Sequence, residues 1–219
     1  MGKKEQEPPR GGRKQGCMKN LFMLALLSLL LLGVLTWFTF EPQDLSDIDG
    51  YGDTSNPLLG FGGRDLGEVL EEAFRNGERV RITEKEINRY LVRTLKARQE
   101  GVFGDYVDIV GVWVRLGEGH AEVIIERELQ GRRRHTVSMI LPPVQEIDEN
   151  GAMRTSVSRS SGRYGRVRVI RGFLYLTKDS FESLAAAYKE ELGLLQKMFR
   201  NKVEISITDG ELELSQPRL

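Results

Sequence analysis

The sequence predicts an α+β protein with one N-terminal transmembrane helix, followed by a curved antiparallel sheet packed against two or three helices. Three observations carry that prediction. An uncharged apolar run fills residues 21–40. Apolar residues recur at helical spacing over residues 65–77, 83–95 and 181–199. Between the second and third of these stretches the period changes to two, broken by glycine-bearing turns. Of the 219 residues, those from 65 onward suffice for one hydrophobic core and are too few for two comfortable domains.

Residues 1–20 form a basic cytoplasmic tail, with Lys3, Lys4, Arg10, Arg13, Lys14 and Lys19 against Glu5 and Glu7. Residues 21–40, Leu21 to Phe40, are the expected transmembrane helix. At 1.5 Å per residue such a run spans a hydrocarbon core of ~30 Å. Trp37 stands near one end, where an indole favours the headgroup level. A cleaved signal peptide would have an apolar core of about 7–15 residues and a small-x-small site after it. This run is longer and ends in Trp37-Phe38-Thr39-Phe40, so an uncleaved signal-anchor is expected. Acidic Glu41, Asp44, Asp47, Asp49 and Asp53 follow before any Lys or Arg. Basic flanks stay in the cytoplasm, which puts the N-terminus inside and the C-terminal domain in the periplasm or outside the cell.

Formal net charge is zero, but the head is basic and the body acidic, which argues against nucleic acid as a partner. The single cysteine, Cys17, precedes the apolar run. The folded domain is therefore expected to have no disulfide and no thiolate chemistry.

Residues 41–64 are rich in Asp, Gly, Ser and Pro and read as a flexible acidic, glycine-rich linker. The domain, residues 65–219, opens with a helix whose face is Leu66, Val69, Leu70, Ala73 and Phe74. Val80 and Ile82 alternate as a short strand. Thr83-Glu84-Lys85-Glu86 is a capping box opening a second helix, with Ile87, Tyr90, Leu91 and Leu95 on its buried face. Strands follow at 106–116, 120–129 and 133–141.

Three-residue turns, 117–119 and 130–132, pair Trp113 with Val123, Ile125 with Val137 and Val123 with Met139. Val107, Ile109, Trp113, Val123, Ile125, Val137 and Met139 then share one apolar face. That face is a candidate apolar groove if the sheet curves away from its cover, and plain core if it does not. The other face mixes Val110, Val112, Val114 and Ile124 with Glu122, Glu126, Glu128 and Arg134, so something is expected to cover part of it. Pro142-Pro143 bends the chain. Two weaker strands are expected near 153–159 and 165–176, then one long helix from Phe181 to Phe199. A hairpin closes the chain, turning at Asp209-Gly210.

The chemistry-bearing residues are few. His120 and His135 sit at opposite ends of their strands, over ~20 Å apart at 3.3 Å per residue, too far to share a metal. No serine stands in a nucleophile elbow. Glu126, Glu128, Glu190 and Glu191 fall where a solvated face or cross-strand ion pairs are expected. No catalytic residue, cofactor or metal site is expected, and the domain reads as a non-enzyme. Arg132, Arg133 and Arg134 leave one turn, and Arg159, Arg163, Arg166, Arg168 and Arg171 follow later. Arg132, Arg133, Arg134, Arg166 and Arg168 are either a patch for an anionic partner or a solvated face balanced by nearby Glu.

Residues 81–95, RITEKEINRYLVRTL, resemble a recurring opening of bacterial envelope proteins, in which an anchor helix and spacer lead to I/L-T-x-x-E-x-N-x-x-L and a long curved sheet. Ile82, Thr83, Glu86, Asn88 and Leu91 are the matching positions. That group resembles tubular lipid-binding-like domains, where a curved sheet wraps a helix around an apolar groove. The resemblance implies a non-enzymatic, single-pass protein of the cytoplasmic (inner) membrane that binds lipid or another apolar ligand. The alternative is a scaffold of an envelope complex, holding a protein partner by its sheet edge or basic face.

Overall fold

The computed structural model describes residues 14–52, 65–95, 106–147, 153–158, 161–170, 178–200 and 204–215. The chain divides into two units, one ending at Phe38 and one running from Thr39 to Leu219. Helix α1 (Lys14–Phe40) dominates the first. Its stretch Met18–Phe40, 23 residues, is long and apolar enough to cross a membrane, and none of it is buried in the protein.

The second unit is α+β. It contains α2 (Leu66–Asn76), β1 (Val80–Thr83), α3 (Glu84–Thr94), β2 (Val107–Gly117), β3 (His120–Leu129), β4 (Arg133–Leu141), β5 (Pro143–Ile147) and β6 (Met153–Val157). There follow β7 (Ser161–Tyr164), β8 (Val167–Ile170), α4 (Lys178–Ala187), α5 (Lys189–Arg200), β9 (Glu204–Thr208) and β10 (Glu211–Ser215). A five-stranded sheet has the order β2-β3-β4-β7-β8, a three-stranded sheet β1-β10-β9, and β5 pairs with β6 alone. All pairings are antiparallel. Of the two weaker strands expected, 153–159 is represented by β6 and 165–176 by β8, with 159 and 171–176 outside the described residues; β7 was not expected, and Gly165 turns between it and β8. The expected long helix is interrupted at Tyr188, although Tyr188 N donates to Leu184 O and Leu192 N to Tyr188 O across the break.

The β3–β4 register is the expected one, with Val123 opposite Met139 and Ile125 opposite Val137. Its turn has positive φ at both Gln130 (52°) and Gly131 (65°), and Arg132 N closes it on Leu129 O, the mirror-image turn that suits strand twist. The β2–β3 register is not the expected one. Gly117 pairs with His120, so the loop has only Glu118 and Gly119, and Trp113 lies opposite Ile124 rather than Val123. The register slips between Ile109 and Gly111. This β-bulge puts an extra residue in β2, so Val107 and Ile109 share a face with Ile125, while Trp113 is turned to the opposite face. At Gly111 a Cβ would stand 2.9 Å from Trp113 Nε1, so the indole's position requires a glycine there.

Helix α3 is fastened to the outer edge of β2 by side chains. Thr83 and Glu86 form the capping box, Thr83 N to Glu86 Oε2 at 3.0 Å and Glu86 N to Thr83 Oγ1 at 3.3 Å. Asn88, fully buried, donates to Val114 O (2.8 Å) and Asp49 O (3.0 Å) and accepts from Val114 N (2.7 Å). Buried Glu84 accepts from Leu116 N (2.6 Å) and Asp49 N (2.8 Å), and Gly210 N donates to Leu116 O. Edge amides and carbonyls of β2 that would otherwise invite another strand are thus occupied.

The same bonds bind residues 41–52, which corrects the expectation of a flexible linker there. Leu45 (4% exposed) and Ile48 (3%) pack on Trp113 and Ile124, and Tyr51 meets the Trp113 ring edge-on at 4.9 Å. Arg115 Nη2 holds Asp44 O and Asp47 Oδ1, and Gln43 N donates to Thr136 Oγ1. This strap covers the mixed face of the sheet. The remainder of the linker, 53–64, lies outside the described residues.

Candidate functional site

The other face of the five-stranded sheet borders a cavity of about 1070 Å³ within the second unit. Small-molecule sites occupy roughly 300–1,000 Å³. Its sheet wall is Val112, Val114 and Leu116 of β2, Ala121 and Val123 of β3, and Met139 and Leu141 of β4. A second wall comes from α4 and α5, through Phe181, Leu184, Ala185, Tyr188, Leu192 and Leu195. Ile82, Ile205, Ile207, Leu212 and Leu214 close a third side from the small sheet, backed by Leu66 and Leu70 of α2. Val157 and Leu192 line it while 44% and 40% exposed, which places them at its rim.

Among the described residues, the helix pair leaves this space between itself and the sheet. The stripe of α4–α5 that faces it carries Ala185 and Glu191 among its larger apolar side chains. The polar residues among those lining it are Tyr90, Thr155, Ser156, Tyr188, Glu191 and Gln196. Tyr90 Oη donates to Glu191 Oε1 at 2.7 Å, and Tyr188 Oη lies 3.3 Å from Thr94 Oγ1. Burial, followed by the neighbouring Glu191, pushes the Tyr90 phenol well above its ordinary range. Burial also raises Tyr188.

Of the seven residues proposed for an apolar groove, Val123 and Met139 line the cavity. Ile125 and Val137 are on that face but fully buried, part of the packed core beside it. Val107 and Ile109 share the face on the far side of the bulge and do not line the cavity. Trp113 belongs to the strap's core instead. Val112, Val114 and Leu116 take its place, the first two having been assigned by sequence to the other face. The available signal was Gly111, since glycine inside a strand marks a bulge. Glu191, read as solvated, lines the cavity, whereas its neighbour Glu190 is exposed.

The two histidines have different surroundings. His120 sits opposite Gly117, its Nδ1 3.0 Å from Glu118 O. His135 is not a surface residue. It is 5% exposed, with Nε2 2.9 Å from Thr39 O and Nδ1 3.1 Å from Arg127 Nη2. Burial, then the Arg127 charge, lowers its pKa to about 4. Among the described residues no group of three His, Cys, Asp or Glu is placed to hold a metal ion.

The basic residues divide. Arg134 pairs with the buried Glu126 (3.2 Å) and Arg166 with Glu41 (3.2 Å), as the balanced-face reading expects. Arg132, Arg133 and Arg168 are exposed. Arg159 and Arg171 lie outside the described residues. Glu122, on the mixed face, is buried under Arg115 and Ser138, whose hydroxyl donates to it. No protein-family model matches the chain, and no curated protein matches it.

Proposed function

We propose that this chain is a membrane-anchored, non-enzymatic binding module whose domain takes a lipid or similarly apolar ligand. The observation that carries the reading is the apolar cavity with Val157 and Leu192 at its rim. A packed domain core leaves few voids larger than a water molecule. An apolar ligand of matching size replaces an unfilled wall with dispersion contacts. The resemblance at residues 81–95 points the same way. In the proposed topology the N-terminus is cytoplasmic and the domain extracytoplasmic, at the inner membrane of a bacterial envelope. The scaffold reading loses one of its surfaces, because α3 and Gly210 occupy the β2 edge.

The test is native mass spectrometry and lipid extraction of the full-length chain released from nanodiscs. A lipid retained stoichiometrically is the expected result. Val123→Phe and Met139→Trp build into open volume, so they should displace it while leaving the fold intact. Retention that these substitutions do not alter overturns the reading.

A further inference from the structure

The cavity's polar atoms bear on which lipid it takes, an inference that rests on the lipid-binding reading above. A long chain moving from bilayer to apolar cavity exchanges one apolar surrounding for another. The hydrophobic effect, large for transfer out of water, then decides little. Discrimination falls to the head and to the polar groups it meets.

Among the described residues that line the cavity there is no Lys, Arg or His. The one acidic residue is Glu191. It sits on the inward stripe of α5, between Tyr188 and Leu195 and next to rim residue Leu192. Tyr90 occupies one carboxylate oxygen, Oε1. A carboxylate has about four acceptor sites over its two oxygens, so acceptor capacity remains. The exposed arginines Arg132, Arg133 and Arg168, which would suit an anionic head, are not among the lining residues.

We infer that the cavity selects a long-chain lipid with an uncharged, hydroxyl-bearing head, of the long-chain alcohol or diacylglycerol kind, and that Glu191 is the residue that sets this preference. A hydroxyl donates to the open side of the carboxylate. A carboxylate or phosphate head brings a like charge beside Glu191, and none of the described lining residues offers it a cation, which costs at least about tenfold in occupancy. Tyr90 donates to Oε1 and leaves Oε2 for the lipid hydroxyl.

The experiment uses the full-length chain in phosphatidylcholine nanodiscs at about pH 9.5, high enough to ionise a fatty acid whose carboxyl pKa the bilayer raises. Two photoactivatable probes of equal chain length, a fatty alcohol and a fatty acid, are cross-linked and the labelled peptides mapped. A photoactivatable phosphatidylcholine serves as a third probe. The alcohol should label peptides containing Val114, Val123, Met139 or Leu192 at least about tenfold more than the acid. Glu191→Gln should raise labelling by the acid and narrow the ratio, with the alcohol's labelling retained. Tyr90→Phe keeps the charge and should keep the preference. Equal labelling by acid and alcohol in the unmodified chain, or a ratio unmoved by Glu191→Gln, overturns the inference and leaves the lipid reading standing. Phosphatidylcholine as the sole label has the same consequence. Failure of all three probes to label the cavity peptides overturns both.

Discussion

Asn88 offers the most direct test of how the cavity wall is held. Its side chain is fully buried and makes three hydrogen bonds, two of them to the backbone of Val114 on the edge of β2. Each such bond is worth about 1 kcal/mol net, and a buried partner left unpaired costs about 1–3 kcal/mol. Alanine recovers at most about 0.7 kcal/mol in helix propensity. Asn88→Ala should therefore destabilise the domain by about 2–4 kcal/mol, a large part of the roughly 5–15 kcal/mol that holds a typical protein together. Asn88→Asp keeps the acceptor for Val114 N but faces the carbonyls of Val114 and Asp49 with a charge, so it should fare no better. Urea unfolding of the full-length chain in detergent, followed by circular dichroism, measures the loss. Hydrogen exchange over residues 112–116 locates it, since the Val114 amide depends on Asn88 for its partner. A change under about 0.5 kcal/mol, with Val114 still protected, would refute the claim that side chains of α3 close this edge.

Three further predictions follow from the same geometry. Trp113→Ala should cost about 3–5 kcal/mol by opening a void under Leu45, Ile48 and Tyr51. In a Trp37→Phe background, the Trp113 emission should not respond in a saturable way to a cavity-bound lipid, because the indole faces the strap. Gly111→Ala should cost about 1–3 kcal/mol by thermal melting, since the new Cβ meets Trp113 Nε1 and Glu126 Oε2 at the bulge. His135 has a folded pKa of about 4, below the unfolded value of 6.5. Between those values the unfolded chain binds more protons, so stability rises with pH across the window. The contribution is complete above about 6.5 and is lost as pH falls toward 4, by about 3 kcal/mol at most. His135→Gln should flatten that part of the stability profile, and an unchanged profile would show that His135 is not held neutral.

Much of the architecture is local and was therefore legible in the chain. The apolar run of α1, the capping box at Thr83 and Glu86, the Asp209-Gly210 hairpin and the β3–β4 register each depend on residues close in sequence or on simple alternation. Half of the groove face was legible for the same reason, through Val123 and Met139. The other half was lost at Gly111. A bulge shifts the alternation by one residue, and the apolar pattern of β2 (Val110, Val112, Trp113, Val114) is consistent with either face.

Composition misled at residues 41–52, where Asp, Ser and Gly outnumber the two residues that decide the outcome. Leu45 and Ile48 find their partners, Trp113 and Ile124, on strands far away in the sequence. Glu84, Glu122, Glu191 and His135 are of types that are usually solvated, so nothing local marks their burial. Each is buried or cavity-lining because its partner comes from elsewhere in the fold, as Leu116 N does for Glu84 and Tyr90 for Glu191. The sequence by itself determined an N-terminal helix long and apolar enough to cross a membrane, the α+β class and most of the element order, because these follow from local periodicity and capping. Only the tertiary structure decided which face of β2 looks inward and that the helices leave a cavity. Both depend on the bulge and on how far α4 and α5 stand from the sheet, distances that no local pattern encodes.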